Sequence, residues 1–286
     1  MQIELIETFL DLCATRNFNR TAERMGVTQS AVSGRVKALE KALECRLFTR
    51  SRSGTELTTE GLRFEPHARG ILASWSVGKR AAQERSAAGL TLRIGIQQDL
   101  VVQHAGQWIE LLRSALPSAA FYVEADFSTQ TCLDVTAGLL DLGIVFTPQP
   151  HPDLHFETLG DVSYVMVSTE HSKISEVSVE GYILPNYSPA IARRHAALYP
   201  ALSAAIVSSG QNAIVAGLIG ALGGTTYLLE DTAAAFVEGG AGRYVAGAAR
   251  IEQSVYGAVH LRNRHRGPHK RMLAVVRGQL GGVGWE

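Results

Sequence analysis

Cysteine is scarce in this sequence. Only Cys13, Cys45 and Cys132 occur, far apart and odd in number, which excludes a disulfide framework and the spacing of a zinc site. Free and mostly buried thiols are expected instead. Long hydrophobic runs are also missing, since no apolar stretch reaches the roughly 18 residues that span a bilayer. The start, Met1-Gln2-Ile3-Glu4, has neither the basic region nor the small-residue cleavage site of a signal peptide. A chain with no membrane partner and a cytoplasmic location is expected. The nine histidines are scattered, with no cysteine pair beside them to complete a zinc site, so no metal or cofactor is expected. No Gly-x-Ser-x-Gly elbow occurs. Gly220-Ala221-Leu222-Gly223-Gly224 lacks the lysine and preceding strand of a phosphate loop and reads as a helix end. No converging acid, base and nucleophile is visible, so the chain is not expected to be an enzyme.

An excess of either charge is absent as well, because 27 Lys and Arg balance 27 Asp and Glu. The balance hides an asymmetry. Residues 1–90 carry 14 basic and 10 acidic side chains, and residues 91–286 carry the other 13 and 17. A basic head on an acidic body suits phosphate contact through the head alone. At 286 residues, 46% hydrophobic and 19% charged, the chain suits two or three globular domains.

The head carries the densest information. Leu5, Phe9, Leu12 and Cys13 recur at helical spacing and predict a helix over 3–15. Asn19 suits the N-cap of a short second helix through Met25, and Gly26 suits the positive φ that ends it. Thr28 can cap a third helix, in which Val32, Val36, Leu39 and Leu43 form one apolar stripe. Gln29, Ser33 and Lys37 lie on another face, with Ser30 beside them. Arg50-Ser51-Arg52-Ser53-Gly54-Thr55 reads as a turn between two short strands. Two helices meeting at a glycine turn, followed by a basic hairpin, have the layout of a winged helix-turn-helix, which reads a DNA major groove. A long helix follows from Thr59 to about Ala88. Leu62, Ala68, Leu72, Trp75 and Ala82 are expected to share a face of it that needs a partner helix, and Pro66 is expected to bend or break it.

After Gly89 the pattern changes. Strands are expected at 92–96, 120–125 and 142–146, with helices at 103–115 and 129–140 between them, giving a mainly parallel sheet covered on both faces. A second cycle runs through Val162–Val167, Ala205–Val207, a helix at 211–222 and Thr226–Leu229, with residues 182–202 of open type.

Several separated blocks resemble the LysR-type transcriptional regulators: Ala22-Glu23, Thr28-Gln29-Ser30-Ala31-Val32-Ser33, Leu39-Glu40, Leu47-Phe48-Thr49-Arg50, and Leu57-Thr58 with Gly61. Leu92-Arg93-Ile94-Gly95 and Asp141-Leu142-Gly143-Ile144 match more loosely. Pro66 and the wording of the helix-turn-helix resemble an HdfR-like branch. The resemblance implies an α/β chain with a winged helix-turn-helix at 1–58, a linker and dimerisation helix at 59–88, and a two-lobed effector domain at 89–286 shaped like a type 2 periplasmic binding protein. Its first lobe would hold about 89–161 and 265–286, and its second about 162–264. The resemblance also implies double-stranded promoter DNA, a small-molecule effector between the lobes, and a homotetramer as partners. A small-molecule binding protein or enzyme on the α/β body is the alternative, as is a regulator that acts without inducer.

Gln29 can bond bidentately to adenine or remain a solvated glutamine. Thr28, Ser30 and Ser33 are short enough for phosphate or base-edge contacts. Arg35 and Lys37 suit phosphate or base, and Arg50 and Arg52 flank the wing, where they can grip phosphate or enter a minor groove; each can instead be a surface charge. Gly34 is a departure, because the family usually has a larger side chain there. For the effector, the carboxyl ends of the expected strands nominate Gln97, Gln98, Thr129, Phe146, Thr147, Ser208 and Ser209, any of which can equally be a loop or capping residue. The helices near 129 and 211 can offer N-terminal amides to an anion. The basic run Arg262–Arg271 reads as a solvated loop and first helical turn.

Overall fold

The computed structural model describes residues 2–51, 54–83 and 90–280. Two compact units emerge, the first built on residues 1–84 and the second on 85–136 and 140–286.

The first unit runs α1 (Ile3–Thr15), α2 (Phe18–Met25), α3 (Gln29–Leu43), β1 (Phe48–Ser51), β2 (Gly54–Leu57) and α4 (Thr59–Gln83). Ile6, Phe9 and Leu12 of α1, Val36 and Leu39 of α3, Leu47 and Phe48 before the hairpin, and Ala68 of α4 form its core. The α2 cap is Asn17 rather than the expected Asn19, and its side chain accepts from the Asn19 and Arg20 amides. Starting the helix at Phe18 lets that ring pack on the core, which decides between two equally good capping residues. Gly26 ends α2 at φ 64°. Thr28 caps α3 by accepting from the Ala31 amide. β1 and β2 pair antiparallel from Phe48–Leu57 to Ser51–Gly54; the tip of the expected wing, with Arg52, lies outside the described residues.

Helix α4 runs through Pro66 as one helix, so of the expected bend or break the break does not occur. Pro66 withholds one hydrogen bond, to the Leu62 carbonyl, while Phe64, Ala68, Ile71 and Leu72 around it pack on the head core. The expected single apolar face is divided. Ala68 is fully buried within the unit, whereas Leu62 and Trp75 are 60% and 51% exposed and Ala82 is exposed too.

The second unit opens with β3 (Leu90–Gln97), α5 (Gln98–Ala115), β4 (Ala119–Asp126), α6 (Ser128–Thr136) and β5 (Leu142–Val145). Helix α5 begins five residues before the expected 103. β4 and β5 flank β3, both parallel to it. The long β6 (Leu154–Ser168) then leaves this region. Residues 182–202 resolve into β7 (Ile183–Pro185), α7 (Pro189–Leu198) and a 3-10 turn at Pro200–Ala204, followed by β8 (Val207–Ser209), α8 (Asn212–Leu222), β9 (Thr225–Leu229), α9 (Glu230–Glu238) and β10 (Arg243–Tyr244). β11 (Ile251–His260) returns, and α10 (Gly267–Leu280) closes the unit. The main sheet has the order β10-β6-β11-β5-β3-β4, with β9 also on β6. Only the β4-β3-β5 part is parallel; β6, β9, β10 and β11 pair antiparallel. The expectation of a mainly parallel sheet therefore holds for the first lobe alone, because β6 and β11 are two crossing strands laid side by side in opposite directions. β8 lies two residues later than expected and pairs with β7 in a separate ribbon.

The pairing of β6 with β11 shifts register between Val255 and Tyr256, opposite Gly160. Tyr256–Ala258 pair with β5 in the first lobe, while Ile251 pairs with Tyr164 in the second. Trp108 and Leu112 of α5 and Met272, Leu273 and Val276 of α10 bury against the first-lobe strands, and Ile191, Val215, Ile219 and Ala233 line the second. Burial pushes the Cys13 thiol up to about 12, with the Glu65 charge adding to it, and raises Cys132 as well. Cys132 is buried, but Cys13 and Cys45 are only half-buried. Among the described residues no helix is long and apolar enough to cross a membrane.

Candidate nucleic-acid interface and ligand cleft

The head presents one polar face. Val32, Val36 and Leu39 turn α3 inward, which leaves Gln29, Ser30, Gly34 and Lys37 exposed and Ser33 half-buried. Gln29 is the first residue of the helix, one position after the Thr28 cap. The Thr28 hydroxyl also meets that of Ser30 at 2.9 Å, so the N-terminal turn is held before any partner arrives. Glu40 fixes the far end of α3 by accepting from the Leu47 and Phe48 amides at 2.8 and 3.2 Å. That carboxylate ties the helix to the first wing strand.

Arg35 differs from its neighbours. It is half-buried and its guanidinium donates to the Thr8 hydroxyl on α1 at 3.3 Å, while Thr8 itself donates to the Glu4 carbonyl. The side chain braces α3 against α1 on the inner side of the head. Arg50 lies on β1, paired with Thr55.

The second unit places the nominated cleft residues in two groups. At the carboxyl ends of β3 and β5, Gln97 is buried and accepts from the Ser128 hydroxyl at 2.7 Å. That hydroxyl oxygen accepts in turn from the Phe146 and Thr147 amides. Gln97, Phe146 and Thr147 are thus brought together, with Ser128 as the hub. Gln98 opens α5, and Thr129 is exposed on α6. Ser208 and Ser209 belong to β8 itself rather than following it, and they pair with Leu184 and Pro185. The Ser209 hydroxyl accepts from the Gln211 amide at 3.3 Å.

Four buried polar residues complete this region and were not nominated from sequence. Asp99, in the first turn of α5, accepts from the Asn212 amide at 2.7 Å and from the Tyr164 phenol at 3.4 Å. The Asn212 side chain donates to Thr232 and accepts from the Leu229 amide. Gln253 on β11 accepts from Ser188 at 2.5 Å and donates to the Phe146 carbonyl at 3.2 Å. Asp99 and Phe146 belong to the first lobe, Asn212, Tyr164 and Gln253 to the second, so both links run from lobe to lobe. The N-terminus of α8, expected to be open to an anion, already faces a carboxylate of this chain. Burial of Asp99 raises its carboxyl to about 6, against the lowering effect of the two hydrogen bonds. The only signal in the sequence was an acid in the first turn after a strand; its partner lies 113 residues away.

Comparison with known proteins bears on both regions. Residues 3–62 match the family described as bacterial regulatory helix-turn-helix protein, lysR family, and residues 85–280 match the LysR substrate binding domain. The HTH-type transcriptional regulator HdfR of Yersinia enterocolitica is 30% identical over 181 residues, covering 63% of this chain and 61% of that protein; the chain thus aligns with less than two thirds of that relative's length. Among solved structures, CbnR, a LysR family transcriptional regulator, is similar at a TM-score of 0.63 and 16% identity, covering 98% of this chain and 99% of that one. Vibrio fischeri DarR, solved in complex with DNA, is similar at 0.59 and 18%, covering 97% and 98%.

Proposed function

Because the chain belongs to the LysR family of transcriptional regulators, we propose that it binds promoter DNA through the head and is controlled through the cleft between the two lobes of the second unit. The family consists of DNA-binding regulators rather than enzymes. The observation that carries the DNA reading is the exposed row Gln29, Ser30 and Lys37 on a helix whose opposite side is buried and whose ends are fastened by Thr28 and Glu40. Gln29 reads a base; Ser30, Ser33, Lys37, Arg50 and Arg52 position the duplex through phosphate. Arg35 supports this face from behind. We draw the domains at 1–58, 59–88 and 89–286, with the lobes divided at Gly160 and at Val255–Tyr256, where the crossing strands change register. This returns 256–264 to the first lobe. The exposed Trp75 of α4, with Val102 of α5 and Tyr122 of β4, supports self-association into a dimer and then a tetramer. A DNA-binding role supports a cytoplasmic location.

Titration of wild type, Gln29→Ala and Arg52→Ala against site and non-site duplex at two salt concentrations tests the assignment. Gln29→Ala should narrow the gap between site and non-site. Arg52→Ala should weaken both equally and lower the salt slope by about 0.9. Equal loss on both duplexes for Gln29→Ala removes it from base reading, and protection of no DNA by wild type removes the regulator reading itself.

A further inference from the structure

Helix α8 has no cap of its own. Gln211 stands at its N-cap position and makes no side-chain bond to the first turn, so the leading amides need an acceptor from elsewhere. The acceptor for Asn212 is the Asp99 carboxylate of the other lobe. Asp99 is 5% exposed, and its second oxygen takes the Tyr164 hydroxyl. A carboxylate at the positive end of a helix is a favourable pairing. The receiving end is rigid, because the Asn212 side chain is bonded to both Thr232 and Leu229 and Tyr164 stacks on Tyr187 at 4.8 Å. Gln253, bonded to the Phe146 carbonyl, makes a second crossing link nearby.

We propose that Asp99 is a built-in ligand of the cleft: its carboxylate caps α8 across the lobes and holds the regulatory unit closed with no bound molecule. This rests on the reading of the cleft as the regulatory site. An effector then acts by displacing the Asp99 cap, and the resting state of the unit is the closed one. Differential affinity for the opened form is the only means by which such a molecule shifts the balance.

The Asn212 amide reports on the latch, since it exchanges with solvent hydrogen when the lobes part. Hydrogen exchange on the full chain without DNA is compared for wild type, Asp99→Ala and Asp99→Asn. Asp99→Ala should speed exchange in the first turn of α8 by about tenfold or more and leave β3 and β5 unchanged. Asp99→Asn keeps an acceptor and sheds a charge that burial disfavours, so its α8 exchange should stay close to wild type. Unchanged exchange at α8 in Asp99→Ala overturns the proposal. If Asp99→Ala also loosens β3 and β5, Asp99→Asn decides, and α8 exchange as fast as in Asp99→Ala overturns the proposal. Footprints of the same proteins test the regulatory part. Asp99→Ala should alter the length of protected DNA without any added molecule, and an unaltered footprint together with faster α8 exchange refutes the link to regulation. Failure of all three proteins to protect DNA sinks the regulator reading and leaves the exchange result standing by itself.

Discussion

Position 34 lies on the exposed side of α3 with nothing within 4 Å of where a Cβ would stand. A glycine there costs helix stability without relieving any clash. Gly34→Ala should raise unfolding free energy by about 0.5–1 kcal/mol, read as a higher urea midpoint at unchanged slope. Asp99 has the opposite character, a buried acid whose environment resists its charge. Its carboxyl rises from 3.8 to about 6, chiefly through burial. The groups facing it are the Asn212 amide and the Tyr164 phenol with Tyr187 behind; both phenols are held protonated by burial and do not titrate in this range. Between pH 4 and 6 the folded chain binds the Asp99 proton more tightly than the unfolded chain. The stability tied to that proton is full below about pH 4 and is lost as pH rises through about 6. Its size is on the order of 3 kcal/mol. The difference in unfolding free energy between wild type and Asp99→Asn should carry this slope, and a flat difference across the range contradicts it. Arg35 shows why side-chain roles are hard to read in advance. Its place beside Val36 permits either face, and the Thr8 hydroxyl on another helix settles the matter.

Helix α4 is the element whose sequence and structure agree least. Its proline signals a bend or a break, yet packing of Phe64, Ala68 and Leu72 on the head core holds the helix together across it. Pro66→Ala restores a donor to the Leu62 carbonyl and should stabilise the chain by about 1–3 kcal/mol, visible as a higher midpoint in thermal unfolding. Trp75 lies beyond the packed part, half exposed. Trp75→Asp should lower the self-association constant in sedimentation equilibrium while the head keeps its helical signal. The elements easiest to read from sequence were those with one buried side. The stripe Val32, Val36 and Leu39 marks α3 through its 3.6-residue period, and β3 shows through Leu92, Ile94 and Ile96, all buried as expected. The start of α5 was hidden because Gln98 and Asp99 carry no apolar signal. Asp99 and Asn212 were hidden for a different reason. Their meaning lies in a contact between distant segments, and local pattern carries no record of it.

At the scale of the whole chain, β6 and β11 are, among the described residues of the second unit, the strands that run through both lobes. Gly160 marks where β6 passes between them, at φ 150°, and a Cβ there would stand 2.8 Å from the Leu280 backbone and side chain. Gly160→Ala should destabilise the chain by about 2–4 kcal/mol, measured by urea unfolding, because strand and α10 cannot both keep their places. The second lobe is in effect inserted into the first, entered along β6 and left along β11. The α10 guanidinium of Arg277 pairs with Glu157 at the start of that path, and α10 supplies Met272, Leu273 and Val276 to the first-lobe core. During synthesis, therefore, the head emerges with its core complete, and the second lobe has almost all its strands next. The first lobe, begun earliest in the second unit, has only α5 and α6 on β3–β5 and waits for Met272, Leu273 and Val276 until α10 has left the ribosome. Of the two lobes, the one that holds Asp99 is thus the later to become solid.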